Sequence, residues 1–189
     1  MLIVFGGLPG TGKTTIARAI ARRRAATCLR IDLIEQALRS AGVLAGDVGS
    51  AGYGIAHALA EANLGDGRVV VADGVNPVVA SRAGWRAVAA RAGVPIMEIE
   101  LICSDRREHR RRVEGRVSDI TGLPAPTWQA VKNHPYQPWP EPHVVVETAT
   151  LTPDEVIAAV ERCMVAWSTR AGMSPMPGTG SFAFRAEPA

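Results

Sequence analysis

Lysine, aromatic residues and patterned cysteine are all scarce in this chain, and each shortage excludes something. Lys13 and Lys132 are the two lysines among 21 basic residues, so the net charge of +3 is carried by arginine. With 18 acidic residues interspersed, that charge argues against a dedicated nucleic-acid surface. Cys28, Cys103 and Cys163 show no C-x-x-C spacing, which argues against a disulfide framework or a zinc site. Their pattern fits a reduced, cytoplasmic compartment. No apolar run approaches the roughly 20 residues of a membrane span. The first strand pattern starts at Leu2, which leaves no room for a leader peptide and again points to the cytoplasm. A length of 189 residues allows one well-buried core and falls short of two full domains.

What the chain does have is glycine in a defined order. Gly7, Leu8, Pro9, Gly10, Thr11, Gly12, Lys13 and Thr14 match G-x-x-x-x-G-K-[ST] without a mismatch, directly after the apolar residues 1–5. Glycines let the backbone curl so that successive N–H groups wrap a polyphosphate. The helix opening near Lys13 adds its positive end. Lys13 is expected to reach the β- and γ-phosphates, and the Thr14 hydroxyl to bind Mg²⁺, with Thr15 completing the loop. The expected cofactors are ATP and Mg²⁺.

Short apolar runs alternate with helical patterns along the rest of the chain. Residues 2–5, 27–31, 68–72, 96–102 and 143–147 read as strands. Residues 16–24, 32–41, 51–64, 78–91, 105–116 and 154–167 read as helices, the last behind a Thr152-Pro153 cap. Val- and Ile-rich strands without alternation fit a sheet buried on both faces. The expected fold is α/β, a three-layer P-loop NTPase fold with about five parallel strands, helices on both faces and a lid. Residues 1–167 form the expected domain. Residues 117–142, with six prolines and Gly122, form a lid, and 168–189 a flexible tail.

Ligands in such sheets sit beyond the carboxyl ends of the strands, so the residues there are the candidates. Asp32 follows the second strand and is placed to accept a proton from an attacking hydroxyl, or to cap the helix. Glu35, almost one turn later, faces substrate or solvent. Asp73 ends Val69-Val70-Val71-Ala72, the Walker B arrangement whose carboxylate helps hold Mg²⁺. Asn76 stands where it could touch substrate or initiate a turn before Pro77. Arg112 and Arg116 share a helix face at the lid's start and are expected to contact phosphate, the alternative being a solvated charged helix. His109 beside them is expected to be a surface or packing residue. Trp128, Tyr136 and Trp139 either wall a substrate pocket or pin the lid to the body.

Together these motifs resemble the small P-loop kinases related to shikimate, gluconate and adenylate kinases. The likeness extends to the predicted-kinase ATPases and to chloramphenicol phosphotransferase, over residues 1–167. It rests on residues 7–15, on Ile31-Asp32-Leu33-Ile34-Glu35 and on Arg112-Val113-Glu114-Gly115-Arg116. The resemblance implies that Asp32 is a general base, and that Thr148, in Glu147-Thr148-Ala149, belongs to the adenine-side loop. Shikimate kinases carry a second aspartate where this chain has Ile34, which argues against a shikimate-type site. The expected activity is an ATP-dependent phosphotransferase acting on a hydroxyl of a small molecule, such as an antibiotic or metabolite. A nucleoside, nucleotide or polynucleotide 5′-kinase, or a P-loop ATPase switch, are the alternatives. No motif sets the oligomeric state, and nothing suggests a membrane partner.

Overall fold

Burial sorts the strand residues before anything else does. In the computed structural model, which describes residues 1–42 and 48–171, β1 (Leu2–Gly6) is buried along its whole length. Its side chains alternate between two cores, as pleating requires. Ile3 and Phe5 join one, with Ile16, Ile20, Val156 and Val160. Leu2 and Val4 join the other, with Ala56, Ala60, Trp85 and Val88. A strand that must satisfy both faces reads as continuous apolar sequence, and Leu2-Ile3-Val4-Phe5 does.

β2 (Thr27–Arg30), β3 (Val70–Asp73), β4 (Ile96–Ile102) and β5 (Val144–Glu147) complete a sheet of order β2-β3-β1-β4-β5. Every pairing is parallel. α1 (Lys13–Arg23) and α7 (Pro153–Ala171) cover one face, α3 (Ala51–Gly65) and α4 (Val79–Arg91) the other. This is the expected three-layer P-loop architecture. α2 (Ile31–Ala41) follows β2 directly and buries just Ile31. α5 (Arg106–Glu114) is capped by Asp105, whose carboxylate accepts the Arg107 and Glu108 N–H groups. Thr152 and Glu155 form a reciprocal capping box at the start of α7.

Two details differ from the sequence pattern. The 117–142 connection carries a short helix, α6 (Trp128–Lys132), capped by Thr127; its flanking prolines hide a single turn. β4 does alternate, with Met97, Ile99 and Leu101 in the core on the α1 side. Glu98 and Glu100 occupy the intervening positions, Glu98 paired with Arg86 of α4 and Glu100 bonded to Tyr136 and His143. Among the described residues no helix is long and apolar enough to cross a membrane. The helix α7 reaches Ala171, so the rest of the expected tail, 172–189, lies outside the described residues.

Candidate active site

The loop between β1 and α1 is gripped from outside. Gly10 has φ +89, and a Cβ there would lie 2.6 Å from Val113 Cγ2 of α5. Glycine is therefore required by conformation and by contact. Beside it, His109 Nε2 donates to the Pro9 carbonyl at 2.7 Å. His109 is thus the packing residue expected, and it packs on the phosphate loop. Trp128 of α6 meets its ring edge-on at 5.3 Å.

Gly10, Gly12, Lys13, Thr14 and Thr15 line a cavity of about 430 Å³. Its opposite wall is Arg111, Arg112, Arg116, Val117 and Asp119. Gly7, Leu8 and Pro9 shape the loop from outside this lining. Lys13 is 8% exposed and donates to the Leu8 carbonyl at 2.9 Å. Burial lowers its pKa to about 8, against the pull of Asp73 and Asp32; Arg116 and Arg30 add to the lowering. A buried ammonium whose proton is loosened in this way gains from a polyanion arriving beside it.

Asp73, at the end of β3, is 3% exposed. Burial raises its pKa, opposed by Lys13 and by a hydrogen bond with the Thr14 side chain. Its Oδ2 is buried without a hydrogen-bond partner. A hydroxyl and an orphaned carboxylate oxygen are hard ligands suited to Mg²⁺ when phosphate oxygens and water supply the rest. Among the described residues, no group of three or more His, Cys, Asp or Glu side chains could hold a metal alone. Asp32 lies in the first turn of α2, where Arg30 is the N-cap. Its side chain is 38% exposed, with Arg30 Nη2 3.9 Å away. It does not cap the helix, because no cap hydrogen bond is made from that end. Glu35 turns toward Arg39, at 3.3 Å, and presses on Gly52 of α3.

Asn76 is fully buried and has no surface for a substrate. Its amide donates to the Phe5 carbonyl at 2.8 Å, and its oxygen accepts from Trp85 Nε1 at 2.9 Å. Tyr53 Oη accepts its backbone N–H, and Arg82 donates to its carbonyl. With φ +50, Asn76 is the turn residue that locks β3 to β1.

Arg112 faces the cavity and binds three acceptors: Glu108 at 2.7 Å, the Thr148 hydroxyl at 3.2 Å and the Thr148 carbonyl at 2.8 Å. Its pairing with Arg111 and Arg112 holds Glu108 down at about 2. Thr148, Arg112, Thr11, Leu151, Pro153 and Val156 line a second cavity of about 300 Å³, with an apolar floor that suits a flat base. The Thr148 hydroxyl lies 2.9 Å from the Ile102 carbonyl and 3.2 Å from that of Thr11.

The lid aromatics divide. Tyr136 donates to Glu100 at 2.7 Å, and Trp139 Nε1 donates to Tyr136 Oη at 2.8 Å. Arg82, fully buried, lies 4.8 Å from the Trp139 ring and donates to the Pro138 carbonyl. The Trp139 ring lies where a Cβ on Gly6 would stand, 2.2 Å from Cζ2. Tyr136 and Trp139 therefore pin the lid to the sheet. Arg30, Arg18 and Asp119, which no motif singles out, meet beside the phosphate cavity: Asp119 accepts from both arginines, and Arg18 and Asp119 line the cavity itself. Their signal was weak: three charges at unrelated positions in an arginine-rich chain.

A family model described as AAA domain matches residues 2–138. An uncharacterized protein of Mycobacterium tuberculosis is 34% identical over 109 residues, covering 51% of this chain. The chain spans 22% of the length of that relative. A candidate kinase of Chloroflexus aurantiacus superposes with TM-score 0.66 at 20% identity, covering 87% of this chain and 96% of that one. The Mycobacterium tuberculosis APS kinase, solved with AMPPNP and APS, gives 0.63 at 22% identity with the same coverage. A gluconokinase of Sinorhizobium meliloti gives 0.61 at 19%, covering 89% and 96%. At such identities the likeness is one of fold, and it matches the resemblance to small P-loop kinases seen in the sequence.

Proposed function

The chain belongs to the AAA-domain family, and on that premise we propose that it is an ATP-dependent phosphotransferase with a small-molecule hydroxyl as acceptor. One observation carries this reading: Lys13 and Thr14 of the phosphate loop line the same cavity as Arg112 and Arg116. Gly7, Leu8, Pro9, Gly10, Thr11 and Gly12 cradle the triphosphate, with Lys13 on its terminal phosphates and Thr15 closing the helix end. Thr148 and Arg112 border the base. Thr14 and Asp73 would hold Mg²⁺, which supplies charge neutralisation when bound. Asp32 takes the proton of the acceptor hydroxyl as that oxygen bonds to the γ-phosphorus and ADP leaves. Arg112 and Arg116 face the charge that spreads over the equatorial oxygens. The structural neighbours include an APS kinase, a gluconokinase and a sugar kinase, which differ in acceptor, and the acceptor here is set by loops rather than by the fold.

The test is a transfer screen with γ-labelled Mg-ATP across antibiotics, sugars, nucleosides and oligonucleotides. Label in a small-molecule hydroxyl supports the proposal; labelled 5′-ends would move it to a polynucleotide kinase. Release of inorganic phosphate unstimulated by every acceptor would leave an ATPase switch instead. Lys13→Ala should abolish transfer. Asp32→Asn should lower it by about 10²–10⁴-fold with nucleotide affinity little changed.

A further inference from the structure

Arg30 is an enclosed charge near the site, 7% exposed, and the chemistry proposed above does not use it. Its side chain is 8% exposed and sits among carboxylates from three elements: Asp73 of β3, Asp32 of α2 and Asp119 of the lid. Nη1 donates to both Asp119 oxygens at 2.8 Å. Nε stands 3.8 Å from Asp73, and Nη2 3.9 Å from Asp32. Both of these nitrogens are buried without a hydrogen-bond partner. Arg18 reaches Asp119 from the outer side, also at 2.8 Å.

The position of Asp119 gives the pairing its consequence. It follows Arg116 by three residues, and both line the phosphate cavity. Val117 between them is 89% exposed, so local packing holds this stretch weakly. Ile120, 7% exposed, is its one buried apolar contact on the far side. A guanidinium in a low-dielectric position demands a counter-charge, and here a single carboxylate is within hydrogen-bond distance.

We infer that Arg30 is a positioning residue that, through Asp119, latches the lid strap and sets Arg116 over the phosphate cavity. The inference rests on the phosphotransferase reading for its purpose, though the latch itself does not. Arginine is required because one planar fork must serve three carboxylates on separate elements, which a lysine ammonium would do poorly. When the Asp73 carboxylate is engaged by a nucleotide-bound cation, Arg30 loses part of its compensation. Arg30 then depends still more on Asp119, so nucleotide should tighten the strap.

The experiment compares wild type with Asp119→Asn, Asp119→Glu and Arg30→Lys on the full chain. Hydrogen exchange of residues 116–122 is measured with and without Mg-AMPPNP, alongside Mg-AMPPNP titration and single-turnover Mg-ATP hydrolysis. Asp119→Asn alters a half-exposed residue and should fold; urea denaturation checks this. It should speed exchange of the strap about ten- to hundredfold, the scale of a charge-assisted bond, and remove the extra protection given by nucleotide. Turnover should fall about tenfold or more while Mg-AMPPNP affinity changes less than about threefold, because positioning is used in the transition state. Asp119→Glu should recover part of the loss. Arg30→Lys combined with Asp119→Asn should be no worse than either alone. Unchanged strap exchange in Asp119→Asn, or additive effects in the double variant, would overturn the latch. Failure of every protein, wild type included, to bind Mg-AMPPNP would overturn the phosphotransferase reading. The exchange difference without nucleotide would then still decide the latch.

Discussion

Residues 116–122 are tied to the body by the charges of Arg18, Arg30 and a half-exposed Asp119, whereas residues 134–143 are tied by the buried Trp139 ring and part-buried hydrogen bonds. Both belong to one connection between α5 and β5. The strap near the cavity uses interactions that water and salt weaken, so its release should cost little. The anchor uses apolar area and a part-buried polar network, which must be broken together. The two halves of a single segment are thus held at different depths.

The largest break in this contrast should come from the anchor. Trp139 is 9% exposed, stacked near Arg82 and pressed on Gly6. Trp139→Ala should cost about 3–5 kcal/mol of global stability in chemical denaturation, the range for a large buried aromatic. A loss below about 1 kcal/mol would mean that the anchor is no firmer than the strap.

A second, smaller effect is a pH window. Burial works against the Glu100 charge, but hydrogen bonds from His143 and Tyr136 outweigh it and lower its pKa. Burial also opposes a charged His143, and Glu100 with the Glu141 carbonyl overcomes it, raising the pKa. Both His143 ring nitrogens face acceptors, as an imidazolium requires. Glu100 stabilises above its ordinary value of 4.5, and that gain is lost as pH falls through the lowered folded value. His143 stabilises fully below 6.5, and its gain is lost as pH rises through the raised folded value. The anchor should therefore be firmest between those two pH values. Thermal melts of wild type against His143→Gln across pH 4–8 should differ most inside the window, and a constant difference would contradict the pairing.

The smallest effect should come from the strap. Asp119→Asn should change global stability by less than about 1 kcal/mol, since the pair is partly solvated. Arg30, chiefly by its hydrogen bond, holds the Asp119 carboxyl below its usual range. The latch should therefore persist from neutral pH well into acid and open only as pH falls through that lowered value. A loss of several kcal/mol would make the strap a structural element like the anchor.

The phosphate loop and the sheet were legible because their signals are local. A run such as Leu2-Ile3-Val4-Phe5 must be buried on both faces, and Gly10, Gly12, Lys13 and Thr14 have one conformation that suits their spacing. Strand boundaries fell within a residue or two for the same reason. The capping of α7 by Thr152 was readable, since the cap and its partner Glu155 are three residues apart.

What tertiary structure alone decided was the use of residues whose partners are distant in sequence. Asn76 could have met substrate or made a turn; its four partners, Phe5, Tyr53, Arg82 and Trp85, made it a buried turn. Tyr136 and Trp139 could have lined a pocket; Glu100 and Gly6, which wait on the sheet, made them an anchor. Arg30 looked like one arginine of many until Asp119 arrived from 89 residues away. Periodicity and motif report what a residue requires of its neighbours along the chain. Which carboxylate meets which guanidinium depends on strand order and loop path, and those are fixed only when the whole core packs.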